Sequence, residues 1–129
     1  MTVLLDGPVL AALTIAEHEH HDRAGRWLAG EGGFAVTPMT EAALVRFLLR
    51  LGESPSTALA VLVGIRSHPG CAFWSDDLPL AALAAEDIDS ADGLSSSYLA
   101  ALAVQHGGRL ATLDAALAER LGDRAALIP

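Results

Sequence analysis

The feature that most constrains this chain is a repeated alternation of very short, largely apolar runs with longer stretches of helical periodicity. The short runs are Val3–Leu5, Phe34–Val36, Cys71–Trp74, Arg109–Thr112 and Ala126–Ile128. Apolar residues on consecutive positions describe strands buried on both faces, since a half-exposed strand would alternate apolar with polar residues. Strands that alternate with helices build a parallel sheet covered on both sides, so the expected fold class is α/β, a three-layer α/β/α arrangement around a central parallel sheet.

The helical stretches have their own punctuation. Gly7 and Pro8 open the first, with proline near the first helical position, where a missing N–H does no harm. A second runs from His20 to Leu28 and stops at Gly30, and a third is capped by Thr40 and ends at Leu51 before Gly52. Ser54 and Pro55 introduce a fourth over Thr57–Arg66; Pro79–Ala85 reads as a short helix, and Ser95–His106 and Ala115–Leu121 complete the set. The third and fourth helices are apolar on nearly all sides, which predicts burial by the sheet or by a partner.

A chain of 129 residues can bury roughly two-thirds of its unfolded surface and matches one domain, residues 1–129, without disulfides. Cys71 stands alone, which excludes an internal disulfide and a cysteine-based zinc site and fits a reducing cytoplasm. The apolar N-terminus lacks a basic leading region and is broken by Asp6 and Pro8, so it is not read as a signal peptide. Nowhere is there the uninterrupted apolar run of about 18 residues that a membrane helix requires. The formal net charge is −8 and all eight basic residues are arginine. That balance repels nucleic acid, so any chemistry on RNA has to depend on local arginines and bound cations, or on a basic partner.

Three acids far apart in sequence fall at comparable places in this scheme. Asp6 ends the first strand, Asp114 follows the fourth, and Glu41 occupies the first turn of the helix after the second strand. In open parallel sheets, ligands bind outside the carboxyl ends of the strands, where the strand order reverses. Carboxylates gathered there repel and raise one another's pKa unless a cation is present, and Mg2+ or Mn2+ prefers oxygen ligands. Such an ion can activate water and stabilise a departing oxygen in phosphodiester cleavage. Each acid taken singly also has a structural explanation as a helix cap or a favourable charge at a helix N-terminus.

The set LLD at the start, T-E near position 40 and LATLD before the last helix resembles the PIN-domain ribonucleases, in particular the VapC toxins of bacterial toxin–antitoxin pairs. The resemblance extends through HEHHDRAGRWL, TPMTEAALVRFLLR, SYLAALAVQHGGRLATLD and the C-terminal LIP. It implies an endoribonuclease dependent on Mg2+ (or Mn2+), with Asp6, Glu41 and Asp114 as catalytic metal ligands and Thr112 and Thr40 in support. It also implies an RNA substrate, a VapB-type antitoxin and a homodimer. The chain departs from the family in two places. Asp6-Gly7-Pro8 stands where Asp-x-Asn is usual, and Ser95-Ser96-Ser97-Tyr98-Leu99 stands where Thr-Asp-x-Tyr-Leu is usual, so Ser96 replaces an acid. One charge missing at ~4 Å corresponds to about 4 kcal/mol at an effective dielectric near 20. Asp92, four residues earlier, is a candidate substitute ligand. The alternative function is accordingly a degenerate PIN domain that binds antitoxin or RNA with little catalysis.

Arg46 and Arg50, spaced i, i+4, share a helix face and are candidates for holding RNA phosphates; a solvated pair explains them equally. His18, His20 and His21 sit close together, but no second ligand cluster completes a zinc site, and packing or capping is the simpler role. His68 with Cys71 lacks an orienting group, and the triple serine lacks a nucleophile elbow. A phosphate-accepting regulatory domain would need a lysine, which the chain does not contain, and no G-x-G-x-x-G follows the first strand.

Overall fold

The computed structural model describes residues 1–129. Its elements are β1 (Val3–Leu5), α1 (Gly7–Thr14), α2 (His21–Ala29), β2 (Phe34–Val36), α3 (Pro38–Arg50), α4 (Pro55–Arg66), β3 (Cys71–Phe73), α5 (Leu94–Gln105), β4 (Arg109–Thr112), α6 (Ala115–Leu121) and β5 (Ala125–Leu127). The strands form one parallel sheet in the order β3-β2-β1-β4-β5. Leu4 pairs with Ala35 on one side and Leu110 on the other, so β1 lies at the centre and is buried along its whole length.

Side chains that alternate across β1 split the interior into two layers. Val3 and Leu5 join Val9, Leu10, Leu44 and Leu48 beneath α1, α3 and α4. Leu4 points the other way, to Leu99, Leu102 and Leu110 beneath α5 and α6. The three-layer α/β/α expectation therefore holds, and the apolar runs were short because each strand is short.

Three local expectations need correction. The N-cap of α3 is Thr37, not Thr40, because Pro38 sets helical φ one turn earlier than the threonine beside Glu41 suggested. Thr40 is the reciprocal partner: its Oγ1 accepts the Thr37 N–H at 2.9 Å, while Thr37 Oγ1 accepts the Thr40 N–H at 3.3 Å. The single helix expected over 79–85 is two 3-10 turns, Leu80–Ala82 and Ala85–Asp87, separated by Leu83 and Ala84 in extended conformation. Finally, α4 is not buried within the fold: only Ala58 is fully enclosed, and Leu59 and Val63 are 58% and 65% exposed. The helix that the fold encloses most fully is α5, with six buried residues.

Two elements meet unusually closely where β1 hands over to α1. A Cβ built on Gly7 would lie 2.7 Å from Ala43 Cβ on α3, so the absence of a side chain at 7 sets the approach of α1 to α3. An alanine at a helical glycine ordinarily stabilises, by about 0.5–1 kcal/mol. Here Gly7→Ala is expected to do the reverse and lower unfolding stability by about 1–3 kcal/mol through overpacking, measured by urea denaturation.

Candidate active site

The strand order reverses between β1 and β4, and a crevice of about 650 Å3 opens there at the carboxyl edge of the sheet. Asp6 follows β1 directly, Asp114 follows β4, and both line the crevice with Thr112, Thr40, Ser96 and Arg46. Neighbouring strands thus deliver two carboxylates to one place from positions more than a hundred residues apart.

Each carboxylate also holds a helix. Asp6 Oδ1 accepts the Val9 N–H at 2.9 Å and caps α1; Asp114 Oδ1 accepts the Leu117 N–H at 3.1 Å and caps α6. Asp6 is nearly buried, at 8% exposure, whereas Asp114 is exposed. Burial pushes the Asp6 carboxyl up to about 6 and the charge of Asp114 adds to the rise, while the Val9 N–H and the Thr112 side chain pull it down. Thr112 Oγ1 accepts the Asp114 N–H at 3.0 Å, so one hydroxyl side chain is engaged with both acids.

Not every residue singled out from the sequence arrives here. Glu41 does not line the crevice. The positions of α3 that do are Met39, Thr40, Ala42, Ala43 and Arg46, and an advance of about 100° per residue turns Glu41 roughly 200° from Ala43. The Glu41 charge is felt instead at Cys71, whose thiol is pushed up mainly by burial, pulled down by Arg66 and raised a little further by Glu41. Asp92 is exposed in the bend before α5, and Arg50 lies on the last turn of α3; neither reaches the crevice. Ser96 does reach it and brings no charge. No group of three histidine, cysteine or acidic side chains is close enough here to share one ion, and of the three expected acids Asp6 and Asp114 line the crevice.

That pair still suits a hard divalent cation. Each acid commits one carboxylate oxygen to a helix cap and retains a second, and the Asp6 carboxyl is raised chiefly by burial, with the unneutralised charge of Asp114 adding a smaller part. A small cation of the Mg2+ type takes one or two protein carboxylates and completes its shell with water and substrate phosphate. Thr112 and Ser96 add neutral oxygens nearby.

The crevice also includes His18 and His20, whose sequence reading pointed elsewhere, with Glu19 between them, all from the loop joining α1 to α2. A crossover built of two helices leaves a turn free to come back to the carboxyl edge of the sheet. The two helical segments were visible in the sequence, but the direction of that turn was not.

The raised Asp6 carboxyl makes stability depend on pH with a definite sign. Between its ordinary value of 3.8 and about 6 the folded state holds a proton that the unfolded state releases, so stability falls as pH rises through this window. Full ionisation costs the ion-free protein about 3 kcal/mol. In EDTA, Asp6→Asn, which keeps an oxygen to cap α1, should therefore be more stable than wild type at pH 7.5 and nearly equal at pH 4; thermal melts at both pH values check this.

Comparison with known proteins agrees with this geometry. The family model described as PIN domain matches residues 3–121. The chain is 47% identical over 130 residues to Ribonuclease VapC29 of Mycobacterium tuberculosis, covering 100% of this chain and 98% of that protein. It is 41% identical to Ribonuclease VapC39 of the same organism, covering 92% and 93% of the two chains, and 35% identical to Ribonuclease VapC44, covering 92% and 89%. Among solved structures, the M. tuberculosis toxin VapC20, described as cleaving the sarcin–ricin loop, superposes with a TM-score of 0.68 at 15% identity over 91% of this chain and 93% of its own. FitAcB from Neisseria gonorrhoeae gives 0.62 at 19% identity over 100% and 97%. With the fold shared at that level, the acid pair at the strand-order reversal and end-to-end similarity to named members, the chain belongs to the PIN-domain family and, within it, to the VapC ribonucleases.

Proposed function

We propose that this protein is a VapC-type toxin, a divalent-metal-dependent endoribonuclease that cleaves cellular RNA and is neutralised by a VapB-type antitoxin. The observation that carries the reading is the Asp6–Asp114 pair at the β1–β4 reversal, in a chain similar over its full length to ribonucleases. Asp6 and Asp114 would hold Mg2+ or Mn2+ between them. When bound, that ion supplies activation of water and stabilisation of the charge on the departing oxygen. The chain's own residues do the rest: Thr112 engages both acids, and Ser96 offers a neutral hydroxyl where a charge would strengthen the site. Arg46 is the one arginine in the crevice and is the residue for an RNA phosphate, whereas Arg50 is too far along α3 to share that task. With a net charge of −8, substrate approach depends on Arg46 and the ion to offset the field of the whole molecule. The lone cysteine and the absence of a helix long and apolar enough to cross a membrane fit action in the cytoplasm.

A second reading has a specific observation behind it. Glu41 turned away, Ser96 neutral and Asp92 remote leave a sparse ligand set, as expected of a PIN domain kept for binding antitoxin or RNA with little turnover. The apolar side chains left exposed at the end of α3 and along α4, Leu49, Leu51, Leu59 and Val63, supply a surface for an antitoxin segment or for a second copy in a homodimer.

RNA cleavage with Mg2+ and Mn2+, alongside calorimetry of ion binding, separates the two readings. For a working nuclease, Asp114→Asn should reduce cleavage by about 100-fold or more, the scale of losing one group that stabilises the transition state. Ser96→Asp should then tighten ion binding by orders of magnitude, up to about a thousandfold. If the wild type neither binds ion nor cuts RNA and Ser96→Asp creates both properties, the binding-module reading stands. Leu59→Glu with Val63→Glu should convert a dimer to a monomer in size-exclusion chromatography with unchanged far-UV circular dichroism; an unaltered dimer would place the interface elsewhere.

A further inference from the structure

The loop between α1 and α2 carries His18 and His20, His21 opens α2, and the structure defines a partner for one ring nitrogen of each. His21 Nδ1 lies 2.8 Å from the Ala12 carbonyl, which only accepts, so Nδ1 carries the proton. His20 Nδ1 lies 3.0 Å from Arg23 Nη1, which only donates, so the His20 proton is on Nε2, facing the Glu19 carboxylate at 3.3 Å. His18 Nδ1 accepts the backbone N–H of His20 at 3.1 Å, which again puts the proton on Nε2. Of the three, His18 and His20 line the crevice, and His18 is the one whose remaining ring N–H no protein acceptor takes. His21 stays outside, and the His20 N–H is answered by Glu19.

The loop is held from several directions. The His18 N–H donates to the Ile15 carbonyl and the His21 N–H to the His18 carbonyl, both at 3.0 Å. Arg23, besides fixing His20, donates to the carbonyls of Ile128 and Pro129 at 2.9 and 2.8 Å, which ties the loop to the end of the chain. A donor fixed in this way loses little freedom when it engages a ligand. The crevice otherwise presents three carboxylates, Asp6, Glu19 and Asp114, against one guanidinium, Arg46. An anionic substrate there has few donors to meet, and a neutral N–H bonded to a phosphate oxygen belongs to the stronger, charge-assisted class.

We propose that His18 is an RNA-contacting residue that donates its Nε2–H to a non-bridging phosphate oxygen of the substrate, an inference that rests on the ribonuclease reading above. The test measures binding of a fluorescein-labelled single-stranded RNA oligonucleotide to the full chain by anisotropy, with Ca2+ replacing Mg2+ to slow turnover, and KM and kcat for cleavage in Mg2+. His18→Ala should weaken RNA binding and raise KM about tenfold, with a much smaller change in kcat. His18→Gln, which keeps an N–H donor at similar reach, should stay within about threefold of wild type, and His18→Phe, which keeps only the ring, should behave like alanine. Divalent-ion affinity by calorimetry should be unchanged in all three, which shows that the carboxylates have not moved. Equal RNA binding by His18→Ala and wild type overturns the proposal, as does rescue by phenylalanine but not glutamine, which would indicate base stacking. Failure of the wild type itself to bind RNA overturns the ribonuclease reading and this inference with it.

Discussion

The structure turns on the Asp6 carboxylate, which is asked to be both a helix cap and a nearly buried charge beside another acid. Capping favours the ionised form, since the Val9 N–H donates to it; burial and the neighbouring Asp114 oppose that form more strongly. The surrounding contacts follow from this conflict. Thr112 engages both acids from the end of β4, and Gly7 lets α3 approach until Ala43 would touch a side chain at 7. A cation held by the carboxylates would remove the conflict and couple ion binding to folding stability through one residue.

A ribonuclease with a net charge of −8 has to gather its attraction for RNA locally. The crevice offers Arg46, two strand-end carboxylates suited to a cation, and the imidazoles of His18 and His20. Each acts at short range, where a favourable contact outweighs a repulsive field that solution ions screen over about 10 Å. Exposed leucine and valine side chains on α3 and α4 form an apolar surface different in character from the acidic crevice.

Much of this was legible in the residues. Consecutive apolar positions marked all five strands, Pro and Ser marked the start of α4, and glycines marked the helix ends, because these signals act within a few residues of backbone. Asp6 and Asp114 were legible as well: a residue at the carboxyl end of a parallel strand has only one edge of the sheet to occupy. Thr37 was missed as the cap of α3 because two threonines three residues apart can each serve, and Pro38 decides between them.

Sequence alone therefore determined the α/β class, the parallel sheet and the two strand-end acids, all of which depend on local periodicity and chain direction. Tertiary structure alone decided the rotation of α3, which brings Ala43 and Arg46 to the crevice and leaves Glu41 about 200° round the helix from Ala43. It decided that α4 stays open on one side while α5 is enclosed, because two equally apolar helices differ only in what packs against them. It also returned the α1–α2 loop to the acid pair and set the tautomer of His18, because both depend on hydrogen bonds to residues whose positions follow only from the packed fold.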